Sequence, residues 1–281
     1  MNRILTIQDI SCVGRCSLTV ALPVISAMGV ECAVLPTAVL STHTMFKTFT
    51  CRDLSDEIVP IADAWEKEGI TFDGIYTGYL ASAEQCRQIC ALLDRFGGSD
   101  TLVLADPAMA DNGKLYAGFD SSFPAEMAKV CAKADIILPN ITEACLLTGI
   151  PYRTEYDEAY IRGLLNGLLE LGCRTAAVTG VSFEPGLLGA AYQERQGQPS
   201  YVFTRRCSQN FHGTGDLYAS AVMGGIMRRL ALGDALHLAG EFVASCIEAT
   251  AASKSARWYG VEFESRIGEL GKMLEKSLPR A

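Results

Sequence analysis

The chain has 281 residues, 49% of them hydrophobic and 20% charged, which is enough apolar material for one α/β domain with a large core. A formal net charge of −8 excludes the clustered Lys and Arg face of a nucleic-acid binder and favours small-molecule partners. Apolar runs are cut by Gly, Pro or charge well short of the ~18–20 residues that cross a bilayer, so no membrane segment is expected.

Residues 3–7 open the chain as a strand; one Arg and a brief apolar stretch before Gln8 and Asp9 are too little for a secretory signal. Residues 16–28 read as a helix closed at Gly29, and 30–36 as the next strand. The polar segment 37–51 is too long for a tight connection and is expected as a lid over a site. A helix over 53–68 ends at Gly69, a strand follows over 73–77, and the helix over 82–96 stops at Gly97-Gly98 before a strand over 101–105. Then come a strand over 136–138, a helix from 141, a helix over 156–171 and a strand over 175–179. Residues 187–193 and 200–204 form an antiparallel hairpin around Arg195-Gln196-Gly197, and two long helices cover 214–230 and 234–252. Short Val/Ile/Leu runs alternating with longer amphipathic ones predict a single domain: a mostly parallel sheet flanked by helices in three αβα layers.

Eleven cysteines, odd in number and irregular in spacing, do not form a disulfide framework and fit a reducing cytoplasm. No C-x-x-C or H-E-x-x-H stands beside them, which argues against zinc and for small buried apolar side chains.

His212-Gly213-Thr214-Gly215-Asp216 puts two glycines and a carboxylate at the mouth of a long apolar helix. Unpaired amides and the positive end of the helix dipole suit a phosphate there, and Asp216 beside it suits a base that takes a proton from an attacking hydroxyl. The same residues also fit an ordinary Thr-Gly-Asp cap. Asp106-Pro107-Ala108-Met109-Ala110-Asp111 follows a strand, so its carboxylates fall at the carboxyl edge of the sheet, where ligands of open α/β sheets bind. Turn chemistry explains that pair equally. Pro139-Asn140-Ile141-Thr142-Glu143 begins a helix and reads either as a capping box or as oxygen ligands for Mg²⁺. Thr179-Gly180, at a strand end, could donate to a nucleotide phosphate.

Gly-Thr-Gly-Asp, preceded in order by Asp-Pro-x-Met-x-Asp and Pro-Asn-x-x-Glu, resembles the ribokinase-like superfamily. Ile7-Gln8, Ser41-Thr42-His43-Thr44 and Thr77-Gly78-Tyr79-Leu80 with Ala83-Glu84-Gln85 resemble the substrate side of its vitamin B6 kinase branch. The resemblance implies ATP-dependent phosphorylation of a B6 vitamer, with Asp216 as base and the amides of Gly213, Thr214 and Gly215 holding developing charge. It places Mg²⁺ at Asp106, Asp111, Asn140 and Glu143, with a monovalent cation such as K⁺ near Asp106. Asp106, Tyr116, Thr179, Gly213 and Gly215 would form the nucleotide side, and Asp9, His43, Thr44 and Tyr79 would surround the pyridine ring. A homodimer is implied as well. Hydroxymethylpyrimidine kinases share the phosphate motifs and differ in the ring pocket; a vitamin-binding protein without catalysis would have no need of Asp216.

Two positions depart from the branch. Asp9 stands where Ser is usual, and a carboxylate there could pair with a protonated ring nitrogen or an amine, with a preference for pyridoxamine. Ala110 replaces the usual Gly between Met109 and Asp111. His212 is assigned to the anion loop and His237 to structure, while the reactivity of Cys207 is left open.

Overall fold

The structure is a computed structural model and describes residues 1–278. In chain order the elements begin with β1 (Arg3–Val13), α1 (Leu18–Ala27), β2 (Glu31–Thr42), β3 (Cys51–Asp53), α2 (Ser55–Lys67), β4 (Gly74–Thr77), α3 (Ala83–Phe96) and β5 (Leu102–Ala105). A small hairpin of β6 (Ala110–Asp111) and β7 (Lys114–Leu115) leads to α4 (Phe123–Cys131), β8 (Ile136–Ile137), α5 (Ile141–Thr148), α6 (Glu158–Glu170) and β9 (Thr175–Val181). The hairpin β10 (Leu187–Glu194) and β11 (Ser200–Arg205) precedes α7 (Thr214–Met227), α8 (Leu232–Ala252) and α9 (Ile267–Ser277).

Among the described residues the main sheet has nine strands in the order β11-β10-β9-β8-β5-β4-β1-β2-β3. The six from β9 to β2 run parallel, while β3, β10 and β11 pair antiparallel at the two ends. Strands covered by helices on both faces must be apolar on both. Accordingly Leu5, Ile75, Val103, Ala105, Ile137, Ala176 and Val178 point into a core shared with α2 to α6. Their neighbours Ile4, Tyr76, Leu104, Ile136 and Ala177 point into a second core shared with α1, α7, α8 and α9. The expected three-layer, mostly parallel α/β architecture is the one observed.

Chain order reverses at β1: the connection through α1 goes outward to β2, and the later strands add on the opposite side through β4. The carboxyl ends of β1 and β4 therefore part at a crevice, the position at which an open α/β sheet binds its ligand.

Several boundaries differ from the sequence expectation. The first strand continues six residues beyond Ile7, because Asp9 and Ser11 tuck inward instead of ending it. Residues 37–42 of the expected lid are strand, paired through Ala38, Val39 and Leu40 with Asp53, Arg52 and Cys51, so the irregular part narrows to 43–50. The sequence reading had no place for α4, α9 or the β6–β7 hairpin.

Candidate active site

Asp216 occupies the third position of α7, behind a loop that the backbone of Gly213 makes possible. Gly213 has φ +82, and a Cβ on it would lie 1.7 Å from the Arg15 carbonyl oxygen, so only glycine lets the loop lie against the turn leaving β1. Helix geometry leaves the amides of Thr214, Gly215 and Asp216 without intrahelical acceptors. A Cβ on Gly215 would meet no atom within 4 Å, so open space lies in front of the loop. A carboxyl at a helix start is ordinarily held ionised by the dipole. Here crowding by protein dominates, and the half-buried Asp216 carboxyl is pushed up to about 6; the Ser17 backbone amide offsets part of that rise, and the charge of Asp9 adds to it.

Asp9 lies across this loop on β1, at the point where the β1–β2 register shifts between Gln8 and Ile10. Such an irregularity re-aims a side chain. Its carboxyl is 5% exposed and accepts from Ser17 Oγ at 2.6 Å and from Ser11 Oγ at 3.1 Å. Burial raises its pKa despite both hydroxyls. Ser17 precedes α1 in the cap position, but its hydroxyl makes no cap bond because it is turned to Asp9, and its backbone sits at φ +50, unusual for a residue with a Cβ. Sequence reasoning missed Ser11 and Ser17; Ser17 falls inside the helix expected over 16–28, where nothing in the sequence marks it as a partner of a buried acid.

The second group of acids lies at the ends of β5 and β8. Asp106 follows β5, with its amide donating to the Thr77 carbonyl at 2.8 Å. Its pKa is well above the usual carboxylate range through burial and then through the charges of Glu143 and Asp216. Glu143 and Asn140 form a complete capping box at the start of α5. Glu143 Oε2 accepts from the Asn140 amide at 2.8 Å, and Oε1 from the Met109 and Ala110 amides at 3.1 and 3.4 Å. Asn140 Nδ2 donates to the Ala110 carbonyl at 2.8 Å. Burial still raises Glu143 against these three amides. Asp111 is exposed and accepts from the amide and side chain of its neighbour Asn112.

The four positions expected at a metal thus divide: Asp106 is within charge range of Glu143 and Asp216, Glu143 and Asn140 clamp the Met109–Ala110 end of the loop, and Asp111 is exposed. Among the described residues no three His, Cys, Asp or Glu side chains converge as a metal cluster. None of Asp9, Asp106, Glu143 and Asp216 is ion-paired with Lys or Arg among those residues. Two crowded acids without a counter-charge fit a hard cation that takes few protein oxygens and keeps its waters. Tyr116 is 41% exposed, yet its hydroxyl is raised by burial and by the charges of Glu143 and Asp106, which puts it beside this pair. Thr179 bridges to Asn140 and donates its amide to the Pro139 carbonyl at 2.9 Å.

Aromatic rings close the other wall. The His43 ring lies 4.3 Å from His212, 4.9 Å from Phe46 and 6.2 Å from Trp258, centroid to centroid. Its Nδ1 accepts from the Met45 amide at 3.3 Å, so the hydrogen-bond network assigns the proton to Nε2, which donates to the Tyr259 carbonyl at 2.8 Å. Both nitrogens being engaged, His43 presents only a ring face and ties the 43–46 turn to residues 258–259. His212 is driven down to about 4 by burial and by His43, and is neutral at physiological pH. Arg15, which follows β1, is ion-paired with the segment just after Tyr259, to Glu264 at 2.8 Å and Glu262 at 3.6 Å. Tyr79 packs on Phe119 at 5.5 Å, and its hydroxyl is pushed up to about 12 by burial, then by the charges of Asp9 and Cys51. Thr44 is exposed. Phe46, Trp258 and Tyr259 were missed in the sequence because they act from segments with no periodic pattern. His237 is exposed on α8, and burial raises the Cys207 thiol, the opposite of activation.

A glycine-lined helix mouth carrying a raised carboxyl, and buried acids at the crevice of a doubly wound sheet, match the ribokinase-like class of phosphotransferases. The model of the phosphomethylpyrimidine kinase family matches residues 20–260. The chain is 31% identical over 260 residues to the pyridoxal kinase PdxY of Pseudomonas entomophila, covering 87% of this chain and 85% of that one. The crystal structure of Lactobacillus plantarum pyridoxal kinase superposes with a TM-score of 0.90 at 33% identity, covering 98% of this chain and 99% of that one. A Bacteroides thetaiotaomicron protein crystallised with pyridoxal, and named provisionally as a phosphomethylpyrimidine kinase, gives a TM-score of 0.90 at 34% identity over 96% of this chain and 95% of that one. The chain belongs to this family of pyridoxal and phosphomethylpyrimidine kinases. Membership implies a divalent metal ion alongside the nucleotide.

Proposed function

We propose that the protein transfers the terminal phosphoryl group of ATP to the 5′-hydroxymethyl oxygen of the B6 vitamers pyridoxal, pyridoxine and pyridoxamine. The observation that carries this reading is Asp216: a carboxyl with a pKa of about 6 at a glycine-lined helix mouth, facing a crevice walled by aromatic rings. Such a group is ionised at neutral pH and basic enough to take a hydroxyl proton as the oxygen attacks phosphorus. The amides of Gly213, Thr214 and Gly215 would hold the charge that spreads over the transferred group. Tyr79 and the face of His43 would enclose the ring, with Thr44 at the rim and Asp9 beside the ring substituents.

Tyr116, Thr179 and Asp106 would line the nucleotide side. Asp106 and Glu143 would hold Mg²⁺, Asn140 and Asp111 supporting it from the loop and the rim; when bound, the ion neutralises charge on the β- and γ-phosphates. A monovalent cation such as K⁺ near Asp106 belongs to the same proposal. So do a homodimer, testable by sedimentation, and residence in the cytoplasm, where eleven free thiols are compatible with a reducing medium. Among the described residues no helix is long and apolar enough to cross a membrane.

The test is ADP formation from Mg-ATP with each vitamer and with hydroxymethylpyrimidine. Turnover of the pyridines above the pyrimidine is expected. The matched family favours the pyrimidine as a second reading, and the reverse order of kcat/KM would establish it. Binding of vitamer without ADP release would leave a carrier in place of an enzyme.

A further inference from the structure

Asp9 is the buried acid that phosphoryl transfer itself does not use. Among the described residues no Lys or Arg is ion-paired with it. Ser11 and Ser17 hold it by hydroxyls, Tyr79 is beside it, and the one base near it, His43, has both ring nitrogens bonded to backbone groups. Arg15 is turned away onto Glu262 and Glu264. A carboxyl 5% exposed with no cation beside it is costly to ionise, and a cationic group brought by a ligand would favour its ionised form. Its two hydrogen bonds fix its direction, as a preorganised recognition group requires.

The position matters as much as the charge. Ser17 lies between two acids: its hydroxyl binds Asp9, and its backbone amide faces Asp216. Asp9 and Asp216 stand near enough for the charge of one to raise the other, so a ring whose hydroxymethyl reaches Asp216 would bring its neighbouring substituent toward Asp9. That substituent is the group at the adjacent ring carbon. In pyridoxamine that group is an aminomethyl, cationic at neutral pH because an alkylammonium has a pKa near that of lysine, about 10.4. In pyridoxal it is an aldehyde, which has neither positive charge nor N–H.

We propose that Asp9 is a specificity-determining residue that selects substrates carrying an ammonium group beside the phosphorylated hydroxymethyl, and so makes this enzyme favour pyridoxamine over pyridoxal. This rests on the B6 kinase reading and narrows it. A charge-assisted hydrogen bond in an enclosed site discriminates against a ligand that lacks the donor by about tenfold or more.

The experiment compares kcat/KM for pyridoxamine and pyridoxal in the wild type, Asp9→Asn and Asp9→Ser, together with calorimetric binding of pyridoxamine and pyridoxine to the wild type. The pyridoxamine-to-pyridoxal ratio should exceed one and fall at least about tenfold in both variants, and the wild type should bind the amine more tightly than the alcohol. A ratio unmoved by either variant, or equal affinities in the wild type, overturns the inference. If the variants fail to fold, the binding comparison decides alone. The two readings fail separately: amine-selective binding with no ADP from any vitamer removes the kinase and keeps the role of Asp9. Unselective turnover keeps the kinase and removes that role.

Discussion

The crevice holds two pairs of acids, Asp9 with Asp216 and Asp106 with Glu143, and they are built in opposite ways. In the first pair hydrogen bonds come from two serine hydroxyls and one backbone amide, and Asp216 is half-buried. In the second, Glu143 is closed in by three backbone amides that also fix a helix start and the Asp106–Ala110 loop. Burial raises all four carboxyls. What separates them is the role proposed for each: the first pair would meet the reacting hydroxyl and a cationic group of the ligand, the second a metal ion. A site that brings phosphates and acids together stays tolerable only when cations arrive with the ligands.

Removing Asp216 breaks this comparison most strongly. Asp216→Asn should lower kcat/KM about 10²- to 10⁴-fold, the usual contribution of a positioned base, while raising thermal stability. A folded-state pKa raised from 3.8 to about 6 means that the native protein binds this proton more tightly than the unfolded chain. That contribution is fully present below about pH 4 and is lost as pH rises through about 6, at a cost of up to about 3 kcal/mol at neutral pH. The Asn variant should therefore gain stability over its parent in chemical denaturation at pH 7.5 and lose the advantage at pH 4. An equally active Asn variant would end the mechanism.

Gly213→Ala comes next. It forces a Cβ into the Arg15 carbonyl at a left-handed φ, so the loop must shift; a loss of stability of about 2 kcal/mol or more and of most activity is expected. Equilibrium unfolding and ADP release check it together. Glu143→Gln then probes the second pair. A side-chain amide cannot accept with both ends as the carboxylate does, so one backbone donor is orphaned at about 1–2 kcal/mol. The metal concentration for half-maximal rate should rise several-fold, read by titrating Mg²⁺ at fixed ATP. Loss of stability without a change in metal dependence would make Glu143 a loop clamp only.

The two regions were not equally legible in the sequence. The proposed phosphate side lies on contiguous stretches at element ends, so strand-then-helix periodicity placed 106–111 at the carboxyl edge of the sheet, 139–143 between a strand and a helix, and 212–216 at a helix mouth. Side-chain geometry was out of reach: the capping-box and metal readings of Asn140 and Glu143 predict the same residues, and only the bonds to Met109 and Ala110 reveal the clamp. The ring side is assembled from far-apart pieces. Trp258 and Tyr259 meet His43 over more than two hundred residues, and Ser17 counts only as part of the helix expected over 16–28 until its hydroxyl is seen on Asp9. Polar residues that fold inward, such as Asp9 and Ser11, also made β1 look six residues shorter than it is.

The smallest effect is the most discriminating for the first pair. If Asp216 is the base, kcat/KM for pyridoxine, which has no amine to answer Asp9, should fall as pH drops through about 6. The charge of Asp9 is the lesser contributor to that value, after burial and the Ser17 amide. Asp9→Asn should therefore move the acidic limb downward by less than about one unit. Ser17→Ala keeps the backbone amide and removes only the hydroxyl that fixes Asp9, so it should leave the limb nearly in place while weakening selection between vitamers. A limb that moves equally in both variants would mean that the two carboxyls titrate as one unit, and that the division of labour between base and recognition group does not hold.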